Sequence, residues 1–488
     1  MKRAVRAVTI VIAVIMALSL QINVFAQEQI QPVEQPSAWA VEGVQWSEIY
    51  ELAHQDMYGK YTKKVNREEL YAVCVNLYER ITGEAITPVE KSPFSDTESV
   101  SILKACAVNI LTGKGKFEPQ KEATRLEMVT AAVNVIKAAH SDLDFRAAIN
   151  LSYKDASRIP ESSLDTVGYA VSKGILKGRS DNTLDLFASC SRQELMVFAR
   201  NTYEFVIYET GRDSKGAFWK VSDEDSTVYL LGSVHVADKS MYPLSKAILN
   251  AYEESDALVV EADITNQQEG ILYMQQKMMY MDDNTLEKSI PKEVYDRFVE
   301  VITPLGIPAE IYNKFKPWYA AMLVQSIQLS QNSYDANLGI DLFFLTKAAG
   351  EKEIIEIEGI KFQVDMFDSF SKELQIQYLA AALNPDTEAQ EKQMEAIQNI
   401  MNSWKTGNTL EIEKLLEVEE GEYSTEEAKE FSEKMWITRN DNMTQKVKSY
   451  LADPEKKTYF VVVGAGHMVG KNGIVTQLKG EYEIEQMK

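Results

Sequence analysis

Four histidines occur in the 488 residues, and two of them stand in near-duplicate settings. Thr227-Val228-Tyr229-Leu230-Leu231-Gly232-Ser233-Val234-His235 and Tyr459-Phe460-Val461-Val462-Val463-Gly464-Ala465-Gly466-His467 each read as a buried strand followed by Gly-x-x-His. A glycine there lets the chain turn sharply off the strand, so that the imidazole projects at the carboxyl edge of a sheet, where open α/β sheets place their ligands. A single histidine at a strand end is more often structural. Two in a duplicated frame, with no other histidine in that half of the chain, point to a site. The acids show the same doubling: Leu258-Val259-Val260-Glu261-Ala262-Asp263 and Ile354-Ile355-Glu356-Ile357-Glu358-Gly359 are apolar runs ending in carboxylates. An acid at the end of a buried strand is costly unless it is paired or binds a metal. His235, His467, Glu261 and Glu358 would suit Mn²⁺, Co²⁺, Zn²⁺ or Fe²⁺ with positions left for water, and the spacing selects none of these. His54 and His140 have no motif around them.

The elements that must position this set alternate. Strands are predicted at 226–232, 257–262, 353–358 and 458–464. Helical patterns fall at 243–254, 266–280, 291–303, 309–331, 338–349, 372–382, 385–403, 408–417 and 424–451. Strands separated by helices argue for an α/β (α+β) domain over 217–488, a central sheet with duplicated halves and helical cover. The glutamate-rich stretch 411–430 reads as a solvated face. Met274, Met278, Met279 and Met281 read as core filler or an adaptable groove wall. Trp318, beside Pro317, reads as core packing.

The first half is organised differently. Lys2, Arg3 and Arg6, an apolar stretch from Ala7 to Leu20 and the small-residue ending Val24-Phe25-Ala26 form a signal peptide over 1–26, cleaved before Gln27. Nothing later in the chain is apolar enough to span a membrane, so the mature chain is expected to be exported and not transmembrane. Residues 27–45 read as a disordered spacer and 209–216 as a polar linker. The net charge of −22 repels phosphate backbones and argues against nucleic-acid binding. Cys74, Cys106 and Cys190 are too few for a disulfide framework.

Between the spacer and the linker, 46–208 repeats three times. Each unit has an N-cap residue, then Arg and Glu, opening an apolar helix: Asn66-Arg67-Glu68-Glu69, Thr124-Arg125-Leu126-Glu127 and Ser191-Arg192-Gln193-Glu194. The second and third also begin with aromatic-x-Asp, at Phe94-Ser95-Asp96 and Tyr153-Lys154-Asp155. This pattern resembles S-layer homology (SLH) repeats. The resemblance implies a mainly helical, trefoil-like module that binds a pyruvylated secondary polymer of a Gram-positive-type cell wall. It places Arg67, Arg125 and Arg192 at the acidic saccharide, where a guanidinium fork suits a carboxylate. The first unit is short, and the tryptophan of the family's early helix is absent from the second and third.

The second half resembles the TraB/GumN/Tiki family through Gly232-Ser233-Val234-His235, Val260-Glu261-Ala262-Asp263, Lys316-Pro317-Trp318, Gly339-Ile340-Asp341, Glu358 with Gln363, Arg439-Asn440 and Val463-Gly464-Ala465-Gly466-His467. That resemblance implies an erythromycin-esterase-like fold and metal-dependent peptidase activity with Mn²⁺ or Co²⁺ ahead of Zn²⁺. On that reading His235, Glu261, Glu358 and His467 hold the metal, and one glutamate serves as general base on a metal-bound water. Arg439 steadies a substrate carboxylate or oxyanion, or else pairs with Asp263 or Asp341. Asn440 orients Arg439 or an acid, and Gly232, Asp263, Asp341, Gly464 and Gly466 support the site. The functions expected are an exported wall-associated hydrolase of extracellular peptides, a non-catalytic peptide-sequestering protein, or an esterase on a small molecule.

Overall fold

A computed structural model describes residues 34–146, 151–265, 268–332, 334–384, 386–416 and 425–488. The expected signal peptide and the first part of the spacer lie outside them. The chain divides into two compact units at Arg212/Asp213, within the stretch read as a linker.

The N-terminal unit is helical. Its helices Arg67–Thr82, Arg125–Ala139 and Arg192–Glu209 each open on a full capping box, with Asn66, Thr124 or Ser191 reciprocating Glu69, Glu127 or Glu194. Each box satisfies helix N–H groups that otherwise lack partners, worth about 1 kcal/mol apiece. The three helix starts then lock in a cycle. Backbone N–H groups donate from Arg67 to Lys121, from Arg125 to Ala188 and from Arg192 to Lys63. The arginines follow the same cycle: Arg67 pairs with Glu127 at 2.6 Å, Arg125 with Glu194 at 3.0 Å, and Arg192 with Glu69. Each guanidinium also donates to a loop carbonyl, at Phe117, Leu184 and Asp56 respectively. The aromatic-x-Asp openings have an equally plain purpose. Asp96 accepts the N–H groups of Phe117 and Glu118, and Asp155 those of Leu184 and Asp185, so one loop of each unit is held. All three cysteines are free.

Part of the expected disordered spacer is ordered. Helix Val41–Ile49 packs against Arg192–Glu209, with Gly43 so near Val197 that a Cβ would come within 2.7 Å of it. Upstream, Ser37 exchanges two hydrogen bonds with the Gln193 side chain. A polar, proline-containing segment concealed this because its order comes from partners about 150 residues away.

The C-terminal unit is built on a six-stranded mixed sheet of order β4-β3-β5-β2-β1-β6. Its strands are β1 (Ala217–Ser222), β2 (Thr227–Ser233), β3 (Ala257–Val260), β4 (Glu353–Glu356), β5 (Tyr459–Gly464) and β6 (Glu483–Gln486). β4, β3, β5 and β2 run parallel, and β1 and β6 add an antiparallel edge. β2, β3 and β5 are almost wholly buried runs of Val, Leu, Phe and Tyr, as strands covered on both faces require. The sequence reading missed β1 and β6: Ala-Phe-Trp-Lys-Val-Ser follows the linker closely, and Glu-Ile-Glu-Gln is too short and charged to read as a strand. It also missed helix Ile360–Asp368. The helix expected over 309–331 breaks at Lys316, where Pro317 starts a new helix. That expected over 424–451 contains a π segment, Glu433–Ile437, ahead of Thr438–Leu451. Trp318 is fully buried and stacks on Phe367, as core packing. Met274 and Met278 are also core, and Met281 is exposed. Among the described residues no helix is long and apolar enough to cross a membrane.

Candidate active site at the carboxyl edge of the sheet

Parallel pairing sends the carboxyl ends of β2, β3, β4 and β5 to one edge, so His235, Glu261, Glu358 and His467 leave the sheet on the same side. β2 and β5 are direct neighbours, with Gly232 opposite Val463 and Ser233 opposite Gly464. The two Gly-x-x-His frames are therefore offset by one residue, and they diverge: the second folds into a single helical turn, Ala465–Met468. The glycines serve space, not a sharp turn. Gly464 has φ −50° and ψ 137°, open to any residue. A Cβ on it would lie 3.3 Å from Glu261 Oε1, 3.5 Å from His235 Nε2 and 3.6 Å from His467 Cδ2, so the carboxylate and both imidazoles meet over this one bare backbone atom. Gly232 lets the turn approach, a Cβ there falling 2.9 Å from Ala465 Cα, and Gly466 lies beneath Trp436.

Each imidazole is held by its Nδ1. His235 Nδ1 is 3.0 Å from Asp341 Oδ2. His467 Nδ1 is 2.6 Å from Asn440 Oδ1, while the Asn440 amide donates to the Asn472 carbonyl. Because that donation turns Oδ1 toward the ring, His467 carries its hydrogen on Nδ1, an assignment made from the hydrogen-bond network. Among the described residues neither Nε2 has a hydrogen-bond partner, although both are buried. His467 Nε2 lies 3.9 Å from Glu261 Oε1. Burial, then the charge of Arg439, presses the His467 pKa down to about 3, so the ring is neutral. Burial also works against charge on His235, but Asp341 outweighs it and holds that pKa above the ordinary value.

Arg439, 1 % exposed, lies between the two glutamates. Its Nη2 donates to Glu261 at 2.7 Å, and Nε and Nη2 grip Glu358 at 2.7 and 2.8 Å. The expected alternatives, Asp263 and Asp341, are not its partners: Asp263 caps a turn through Thr265 and Asp341 serves His235. Asn440 likewise orients a histidine, not Arg439 or an acid. Burial alone would raise the Glu261 pKa, but Arg439, both imidazoles and the Gly464 N–H, at 2.6 Å from Oε1, bring it below the carboxylate range. For Glu358 burial prevails over Arg439, and the pKa is raised. One guanidinium cannot neutralise two carboxylates, and Glu358 is the one left more easily protonated.

The donor chemistry fits a divalent metal in part. Two bare Nε2 atoms and Glu261 Oε1 face a common space, and each ring is oriented through its other nitrogen, as metal-binding histidines generally are. Glu358 does not fit, since both of its oxygens are engaged by Arg439. Among the described residues no three His, Cys, Asp or Glu side chains are gathered tightly enough to hold an ion as they stand, so binding would require side-chain rotation.

Two side chains at the site were given no role by the sequence reading, which named Gln363 only as a match beside Glu358 and did not single out Trp436. Gln363 Nε2 donates to Glu261 at 3.0 Å and to Glu358 at 3.2 Å. It lies on the unexpected helix Ile360–Asp368; its only signal was its place five residues after Glu358. The Trp436 ring sits 5.0 Å from that of His467, inside the π segment, a distortion often found at functional sites.

Residues 152–194 match the S-layer homology domain. The chain is also similar to two uncharacterized proteins. One is YbaP of Escherichia coli (strain K12), 28% identical over 139 residues, which are 28% of this chain and 50% of YbaP. The other is from Treponema pallidum (strain Nichols), 19% identical over 168 residues, which are 34% of this chain and 50% of that protein. The chain thus spans about half the length of the curated relatives it matches. Residues 217–486, more than half of the chain and the whole of the sheet with its histidine pair, match the TraB/PrgY/gumN family, and the chain belongs to that family.

Proposed function

We propose that this is an exported, wall-associated, metal-dependent hydrolase of extracellular peptides. The observation that carries the reading is the pair of unpartnered Nε2 atoms that meet beside Glu261 over Gly464. His235, His467 and Glu261 would hold a divalent cation, Mn²⁺ or Co²⁺ ahead of Zn²⁺, which when bound supplies Lewis acidity toward a peptide carbonyl. Asp341 and Asn440 fix the two rings so that Nε2 faces inward. Glu261, kept ionised by Arg439, would reach the cation through Oε1, the oxygen that faces both imidazoles. Glu358, more easily protonated, is the candidate donor to a leaving amine. Arg439 serves by holding both acids in place, with Gln363 as a second clamp.

The SLH match supports a cell-surface location, and the cyclic repeats are suited to act as one trefoil-like anchor on a pyruvylated polymer of a Gram-positive-type wall. All three motif arginines are engaged within that cycle, so they hold the anchor's fold, and Arg67, at 21 % side-chain exposure, is the most accessible of them to the polymer. A peptide-library digest with and without chelator tests the hydrolase reading: metal-restored cleavage is expected. Tight peptide retention without turnover would instead make this a sequestering protein, and turnover of small esters alone an esterase.

A further inference from the structure

We propose, on the metal-site reading, that Lys316, Trp318 and Asp368 are positioning residues: they seat helix Ile360–Asp368, and through Gln363 on that helix they aim Glu261 Oε1 at the two imidazoles. Among the described residues the polar side-chain contacts of Lys316 and Trp318 go to Asp368, and not to a histidine or glutamate of the site.

The 360–368 helix is poorly specified by its own residues. It has nine residues, opens on Gly359 at φ 82° without a side-chain cap, and has no basic residue in its last turn. A helix this short is not stable alone in water. Its last turn carries Asp365 and Asp368, acids at the end where the helix dipole disfavours them. Their partners come from elsewhere in the fold. The half-exposed Asp365 takes Tyr273 at 2.6 Å and Lys277 at 3.0 Å. Asp368, at 18 % side-chain exposure, accepts Lys316 Nζ at 2.5 Å and Trp318 Nε1 at 3.3 Å on one oxygen, and Lys277 lies 3.7 Å from the other. Residues two apart on a helix do not face each other, and Pro317 removes that obstacle. It starts the helix, so Lys316 stays extended at φ −75° and ψ 152° while Trp318 enters the first turn, and both side chains converge on Asp368. The Trp318 ring also stacks on Phe367, with 5.9 Å between centroids.

Gln363 lies five residues before Asp368, about 7.5 Å along the helix axis. Its amide donates to Oε2 of both acids, and Arg439 donates to the same oxygen of Glu261. With Oε2 held in this way and the Gly464 N–H on Oε1, the Glu261 carboxylate keeps Oε1 toward both rings. A helix shift of about 0.5 Å would stretch the two Gln363 bonds past good hydrogen-bond geometry, so the grip on Asp368 is felt at Glu261.

Co²⁺ titration of the full chain tests this. Gln363→Ala should weaken binding about tenfold, the usual size for losing a group that orients a metal ligand. Lys316→Met and Asp368→Ala should each weaken it by about three- to tenfold, and Lys316→Arg and Asp368→Asn should recover part of that loss. Added to Gln363→Ala, Lys316→Met should weaken binding no further, because both act through the same amide. Unchanged Co²⁺ affinity in Lys316→Met and Asp368→Ala, with only a lower melting temperature, would make the motif structural and overturn the proposal. A full further loss in the double variant would overturn the route through Gln363. A parent that binds no Co²⁺ would sink the metal-site reading as well.

Discussion

Both halves of this molecule depend on arginine–glutamate pairs, and they use them in opposite ways. In the N-terminal unit each motif arginine meets the glutamate that closes another repeat's helix cap, and neighbouring charges join the pairs, Glu118 at Arg67, Lys63 at Glu69 and Arg179 at Glu194. In the C-terminal unit a single buried arginine faces two glutamates, the balance is one positive charge short, and two unpartnered imidazole nitrogens lie alongside. The first arrangement gives every motif guanidinium a carboxylate and a backbone carbonyl within the fold, with Arg192 Nε left over. The second leaves two buried imidazole nitrogens without a partner among the described residues, and that contrast sets the proposed site apart from the scaffold.

The largest expected effect comes from breaking the unbalanced cluster. Arg439→Met would leave Glu261 and Glu358 buried without a cation, costing about 3–5 kcal/mol in the C-terminal unit, read by denaturant unfolding. Adding Glu358→Gln should restore part of that loss. In the N-terminal ring, Arg125→Ala and Arg192→Ala should cost about 1–3 kcal/mol each, because a buried glutamate and a loop carbonyl lose their donor. Arg67, at 21 % side-chain exposure, should cost less than about 1 kcal/mol. If the three are indistinguishable, the cycle is not graded by burial.

Acidification should sharpen the contrast. Burial opposes ionisation of Glu69, Glu127 and Glu194, but cap N–H groups and arginines outweigh it and hold all three below the ordinary carboxylate value. Their contribution is therefore complete above the unfolded value of about 4.3 and lost as pH falls through the lower folded values. The N-terminal unit should lose stability across that window in melts monitored by its own backbone signals, and Glu194→Gln should flatten the loss. The smallest effect on stability, and a total one on activity, is expected from Gly464→Ala: its Cβ is tolerable at 3.3–3.6 Å from its neighbours but fills the space the histidines share.

Much of the site was legible because its cause is local. A buried run followed by Gly-x-x-His marks a strand end, and a carboxylate closing an apolar run marks a second one. Parallel pairing then brings the four side chains to one edge without further information. What the sequence concealed was decided at long range. Arg439 pairs with Glu261 and Glu358, not with Asp263 or Asp341, because the fold brings the residues that follow β3 and β4 within reach of its side chain, which residue spacing does not encode. Asn440 and Gln363 were named within recognised motifs, but their partners, His467 and the two acids, depend on helix rotation. Likewise β6, short and charged, exists because Trp219–Ser222 offers it an edge.

The central claim is that His235 and His467 hold one metal between them. Its most direct test is titration of the purified chain with Co²⁺, following the visible absorption of the bound ion. One equivalent should bind with imidazole-type spectra, and His235→Ala and His467→Ala should each abolish that signal while melting as the parent does; His54→Ala and His140→Ala should leave it unchanged. Full Co²⁺ binding by either site variant, or none by the parent, would contradict the account.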